Sequence, residues 1–185
     1  MAALVTTKPT LLQALHTDHR NVAKLLKLME GELARFDHGQ DPDYALVLDV
    51  FHYLSNYPDQ IHHPNEDLLY DKMLASGEQH RDVLETLLGE HEELATVGRE
   101  LNALYELIVN DAFIERTVVH EQTHNYLRMH RQHMGLEERV VFPAARHTLT
   151  DEDWVDLEGQ FAERQDPLFG DIITHEYQAI RDCLD

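Results

Sequence analysis

One cysteine, Cys183, is all that the 185 residues contain, so no internal disulfide can staple the fold, and a reducing compartment suits that usage. Glycine and proline are scarce, at eight and six. Sandwiches and barrels need frequent turn residues, so their shortage excludes those classes and favours helices. No stretch approaches the roughly 20 apolar residues of a membrane span, and the beginning, with Lys8 and Pro9, has no apolar run of signal-peptide length. Cations are also few, 15 Lys and Arg against 35 Asp and Glu, for a net charge of −20. Nucleic-acid phosphates and anionic lipid surfaces both require Lys and Arg footprints, so neither is expected as a partner. The acidic residues are spread along the chain, as solvated helix faces are, and serve solubility. The expectation is a cytoplasmic protein with one core, since 185 residues fit one domain better than two.

What the chain does have is helical periodicity, written twice. Leu12, Leu15, Val22, Leu26, Met29, Leu33 and Phe36 fall at steps of three and four, and His19 occupies one place in the series. Leu84, Leu87, Leu94, Gly98, Leu101, Tyr105 and Ile108 repeat the stripe 72 residues later, with His91 in the corresponding place. Each histidine is preceded by an acid, Asp18 and Glu90. An internal duplication accounts for this, and it predicts that the segment after the first stripe recurs after the second. His62-x-x-x-Glu66 and His133-x-x-x-Glu137 meet that expectation, 43 positions after His19 and 42 after His91. Downstream, Asp67 aligns with Glu138, Leu69 with Val140 and Met73 with Ala144.

Punctuation divides the chain into four long helices. Gly39 to Pro42, Ser76-Gly77 and Asn110-Asp111 are the breaks, and Pro143 lies near the end of the fourth. Pro58 and Pro64 should interrupt or kink the second helix, because each lacks a backbone donor. Short connections make neighbours antiparallel. The predicted fold is therefore all-α, an antiparallel up-down four-helix bundle over residues 1–147. A short helical extension, 148–185, packs on it within a single domain, with Thr150 and Asp153 as a helix start.

Residues four apart on a helix share a face, so His62 with Glu66, and His133 with Glu137, each present a nitrogen and an oxygen donor together. Together with the core-facing His19 and His91, six polar groups enter one interior, at roughly 1–3 kcal/mol each if unsatisfied. Cations satisfy such a set, and helical bundles build metal sites this way. A buried hydrogen-bonded network is the plainer alternative, but it does not explain why both halves keep the same donors in the same order.

These runs, Asp18-His19, His62 through Tyr70, Glu90-His91 and His133 through Pro143, resemble the hemerythrin-like, or HHE cation-binding, domains across approximately Leu11 to His147. The resemblance implies a carboxylate-bridged di-iron centre with an oxo or hydroxo bridge. Glu66 and Glu137 would be its bridges, and His19, His62, His91 and His133 its terminal ligands. Mixed nitrogen and oxygen donors suit iron, with manganese or zinc as substitutes. The chain departs from the oxygen carriers of that family by placing Ala95 where they have a second histidine, and by a fourth-helix carboxylate one residue closer to its histidine. One ion then keeps an open position or recruits His16, Asp18, His63, Glu90 or His130. An open site favours reaction over storage, so the expected role is to react with or sense dioxygen, peroxide, nitric oxide or iron-redox state. Metal binding or sensing is expected ahead of dedicated catalysis, with oligomeric state left open. Tyr126, two turns before His133, is a candidate to line the pocket.

One rival motif is present. His120-Glu121-Gln122-Thr123-His124 fits the zinc-hydrolase pattern H-E-x-x-H, with His130 at the distance of a third ligand. However, Leu127 stands where that peptidase pattern needs glycine, and an unbroken helix turns His130 about 120° from His124. A metal-free helical interaction domain is the remaining alternative.

Overall fold

The computed structural model describes residues 10–77, 79–161 and 165–184; Lys8 and Pro9 lie outside them. Among these residues there is no strand. Helix α1 spans Thr10–Asp37, α2 Tyr44–Tyr57, α3 His63–Ser76, α4 Arg81–Val109, α5 Arg116–Leu136, α6 Phe142–Thr148, α7 Asp151–Gln160 and α8 Gln178–Leu184. No described helix is long and apolar enough to cross a membrane.

The duplication extends to the loops. Helices α1 and α4 end alike: Gln40 N–H donates to Arg35 O and Gly39 N–H to Phe36 O, and 72 residues on Ala112 donates to Leu107 and Asp111 to Ile108. This crossed pair of bonds satisfies the orphan carbonyls of a helix end and needs a left-handed residue. Gly39 supplies it at φ +73°, and Asp111 takes the same position at φ +63°.

Two π turns, Pro58–His62 and Glu137–Val141, join α2 to α3 and α5 to α6 without a break. Each is followed two residues later by a proline, Pro64 or Pro143. Proline inside a regular helix clashes with the carbonyl four residues back, and a turn widened by one residue removes that carbonyl from its way. The expected interruption of the second helix thus takes the form of a π turn. The same device corrects the alignment after Glu137: Leu69, Tyr70 and Met73 are buried, and so are Val141, Phe142 and Ala145. Val140 and Ala144 are therefore not the counterparts of Leu69 and Met73; the inserted residue moves each match one place on.

The core divides into two apolar clusters. One holds Val22, Leu26, Val50, Phe51, Leu94 and Tyr126, the other Leu12, Leu15, Leu69, Leu84, Leu87 and Phe142. His19 lies between Leu15 and Val22, and His91 between Leu87 and Leu94, so a polar layer separates the clusters.

The C-terminal segment caps both clusters. The Thr150–Asp153 capping box starts α7 and Leu157, Trp154 and Phe161 pack on the second cluster. Tyr177 and Ile180 are buried in the first, with Phe169 packed against it, and Tyr53 donates its hydroxyl to Asp166 at 3.0 Å.

Candidate metal centre

All six residues singled out by the repeat, His19, His62, Glu66, His91, His133 and Glu137, are buried in the polar layer, the two glutamates completely. Helix α1 supplies His19, α4 His91 and the last turn of α5 His133; His62 closes the first π turn, Glu66 lies in the first turn of α3 and Glu137 opens the second π turn. Glu66 Oε1 lies 3.2 Å from both His19 Nε2 and His62 Nε2, and its other oxygen 3.4 Å from His91 Nε2. Glu137 mirrors it, with Oε2 3.3 Å from His19 Nε2 and Oε1 3.4 Å from His133 Nε2. Each carboxylate therefore spans one imidazole group on each side.

The outer ring nitrogens are held by carboxylates. His62 Nδ1 donates to Asp18 at 3.1 Å and His133 Nδ1 to Glu90 at 2.9 Å. His19 Nδ1 donates to Glu138 at 2.9 Å and His91 Nδ1 to Asp67 at 2.7 Å. The two halves thus use matching residues for matching jobs: the acid before each helix-borne histidine holds the paired ring of its own half, and the acid after each glutamate holds a ring of the other half. In the neutral ring such a bond fixes the tautomer and leaves Nε2 inward as a lone-pair donor, the arrangement that orients metal-ligating histidines.

The inner atoms fit a cation. Glu66 Oε2 and Glu137 Oε2 are buried and make no well-formed hydrogen bond, their nearest imidazole nitrogens standing at 3.4 and 3.3 Å, a costly state unless something else satisfies them. His91 Nε2 and His133 Nε2 are 3.1 Å apart; two nitrogens about 2.1 Å from one ion, at a right angle, stand about 3 Å apart. Among the described residues the donor atoms form two groups, His19, His62 and Glu66, and His63, Glu66, His91 and His133, each within 4.8 Å of one another.

Electrostatics follow from this packing. Burial alone would lower His62 and His133, but Glu66 with Asp18, and Glu137 with Glu90, outweigh it and lift them to about 9 and about 10. His19 and His91 are raised against burial in the same way. The imidazoles in turn hold Glu66 and Glu137 below the ordinary carboxylate value, although burial pushes the other way. His63 and His130, by contrast, are pushed down, chiefly by burial.

The other candidates are sorted by the geometry. Asp18 and Glu90 orient rings, as described. His16 lies farther out, with Nδ1 2.8 Å from Glu138 and Nε2 3.1 Å from an Arg146 nitrogen. His130 is buried with Nε2 unpartnered, its ring edge-on to Tyr126 at 4.6 Å. Tyr126 packs on Phe51 and His130, and its hydroxyl points toward Gly98. The H-E-x-x-H residues do not converge: His120 sits 2.9 Å from Asp37, His124 is exposed, and His130 is buried.

Sequence reasoning passed over three groups. Asp67 and Glu138 were aligned by the repeat, but their role as ring holders depends on helix crossings that spacing does not reveal. Tyr70, fully buried, stacks on His91 at 5.7 Å and donates its hydroxyl to Glu137. Its structural counterpart, Phe142, stacks on His19 at 5.4 Å. A tyrosine eight places after a candidate histidine, His62, was the available signal.

Paired imidazoles and shared carboxylates buried among helices are the layout of a helical cation-binding protein. A family model described as the hemerythrin HHE cation-binding domain matches residues 10–145. The chain belongs to that family. No curated protein and no solved structure matches it.

Proposed function

We propose that the protein holds two iron ions within an antiparallel four-helix arrangement of α1, α2–α3, α4 and α5–α6. His19 and His62 serve one ion, His91 and His133 the other, and Glu66 and Glu137 serve both. The observation that carries this reading is the sharing of both glutamates between the two imidazole groups, with an oxygen of each buried and without a well-formed hydrogen bond. Two cations balance those charges better than protons, and the mixed nitrogen and oxygen donors, without cysteine, suit iron or manganese.

Bound iron supplies redox chemistry and affinity for small oxidants or diatomic ligands. The chain's own contribution is to fix each imidazole by a carboxylate and to keep the ions between two apolar clusters, away from bulk water. A role in reacting with or sensing dioxygen, peroxide, nitric oxide or iron-redox state is the consequence. Metal analysis of protein from iron-supplied cells, with spectra of oxidised and reduced forms, tests this. Near two irons per chain and a near-ultraviolet absorption are expected; metal-free protein, or one zinc per chain, overturns the proposal.

A further inference from the structure

The two donor groups are unequal, and one side chain makes them so. His63 belongs with Glu66, His91 and His133, whereas the group around His19 and His62 has no third imidazole. His63 also carries the mark shared by the other four rings: it is buried, and its Nδ1 faces a carboxylate, Asp59, at 3.2 Å. Its ring lies parallel to His91 at 4.4 Å and edge-on to His133 at 6.1 Å. The repeat does not duplicate this feature. His63 comes directly after His62, but the residue after His133 is Met134, which packs in an apolar cluster. Four residues before His63 stands Asp59, and four before Met134 stands His130, with no carboxylate to hold a ring there.

Other groups able to complete an ion's shell are already engaged or lie outside. Asp18 and Glu90 hold His62 and His133, His16 stands beyond Glu138, and His130 joins neither donor group. Ala95 offers no donor.

Resting on the two-ion reading above, we propose that His63, oriented by Asp59, is a fifth imidazole ligand. It serves the ion held by His91 and His133. That ion then has three imidazoles and the other two.

The test compares the full-length protein with His63→Ala, His63→Gly and Asp59→Asn, each checked for helicity by circular dichroism. After loading with isotopically enriched ferrous iron, metal content and Mössbauer spectra are recorded. Wild type is expected to hold two irons in two distinct environments. His63→Ala should bind one of the two at least tenfold more weakly and alter only that environment, in the range seen when the support of a metal ligand is removed. Free imidazole should restore the lost site in His63→Gly, which a merely structural histidine would not allow. Asp59→Asn should weaken the same ion by a smaller factor, and it keeps the test open if the His63 variants do not fold. The inference is overturned if wild type binds two irons and the variants bind both with unchanged affinity and spectra. A wild type that binds fewer than two irons overturns the two-ion reading itself.

Discussion

The two halves of the repeat, α1–α3 and α4–α6, each present the same three inward donors but surround them differently. On the His91 side the stacking ring is Tyr70, whose hydroxyl reaches Glu137; on the His19 side it is Phe142, with no hydroxyl to offer. In the core, Leu26 of α1 corresponds to Gly98 of α4 and Leu54 of α2 to Tyr126 of α5, a large side chain added where another was removed. Duplicated helices therefore hold the donor set fixed while the packing around it becomes complementary. Equal ligands do not make equal sites.

The comparison can be broken at its shared elements first. Glu66→Ala and Glu137→Ala should each remove both irons, because each carboxylate faces both imidazole groups, whereas Glu121→Ala should leave the metal in place. Metal content of the three purified variants decides this, and loss of iron from the Glu121 variant alone would point to the H-E-x-x-H reading instead.

A second experiment asks whether the halves respond alike to protons. In the metal-free protein His62 and His133 have folded values of about 9 and about 10, above the ordinary 6.5. Their ion pairs with Glu66 and Glu137 are fully present below pH 6.5 and vanish as the pH climbs through the folded values. Melting temperatures of chelator-treated protein should fall by several degrees between pH 6.5 and 10, while iron-loaded protein, whose rings are already neutral, should stay nearly level. Parallel curves would mean that the cation does not replace those protons.

Making the halves more alike in the core should cost stability and nothing else. In Gly98→Ala the new Cβ would meet the Tyr126 hydroxyl at 3.1 Å and Ser55 Oγ at 3.4 Å. Overpacking of this kind costs about 1–3 kcal/mol, set against about 1 kcal/mol of helix propensity that alanine gains over glycine, and the balance is readable as a lower denaturant midpoint with unchanged iron content. Tyr70→Phe, which makes the two stacking rings identical, should have the smallest effect. Loss of one buried hydrogen bond costs about 1 kcal/mol, iron is retained, and the absorption spectrum shifts because Glu137 loses a donor. Loss of an iron in this variant would give Tyr70 a larger part than positioning.

Much of this was legible in the residues. The stripes containing His19 and His91 and the twin H-x-x-x-E pairs located the polar layer, because helical periodicity states which side chains share a face. Ring-to-carboxylate bonds such as His19 with Glu138 were not legible, since they cross from one half to the other. The stacking of Tyr70 on His91 was hidden for a related reason: its match to Phe142 emerges only once the π turn has shifted the count. The place of His63 beside His91, with its Nδ1 against Asp59, depends on how two helices cross, and spacing along one chain does not state that.

The two π turns lie on opposite sides of the His-x-x-x-Glu pair, one ending at His62 and the other beginning at Glu137. An extra residue in a regular helix would swing everything beyond it by about 100°, turning inward imidazoles to solvent and core residues outward. Here the swing is absorbed within a single widened loop of backbone beside a proline. The chain can thus gain a residue on either flank of the centre and remain in phase everywhere else. Insertions next to Pro64 or Pro143 are consequently the places where the two copies can drift apart in length without losing their common inward geometry.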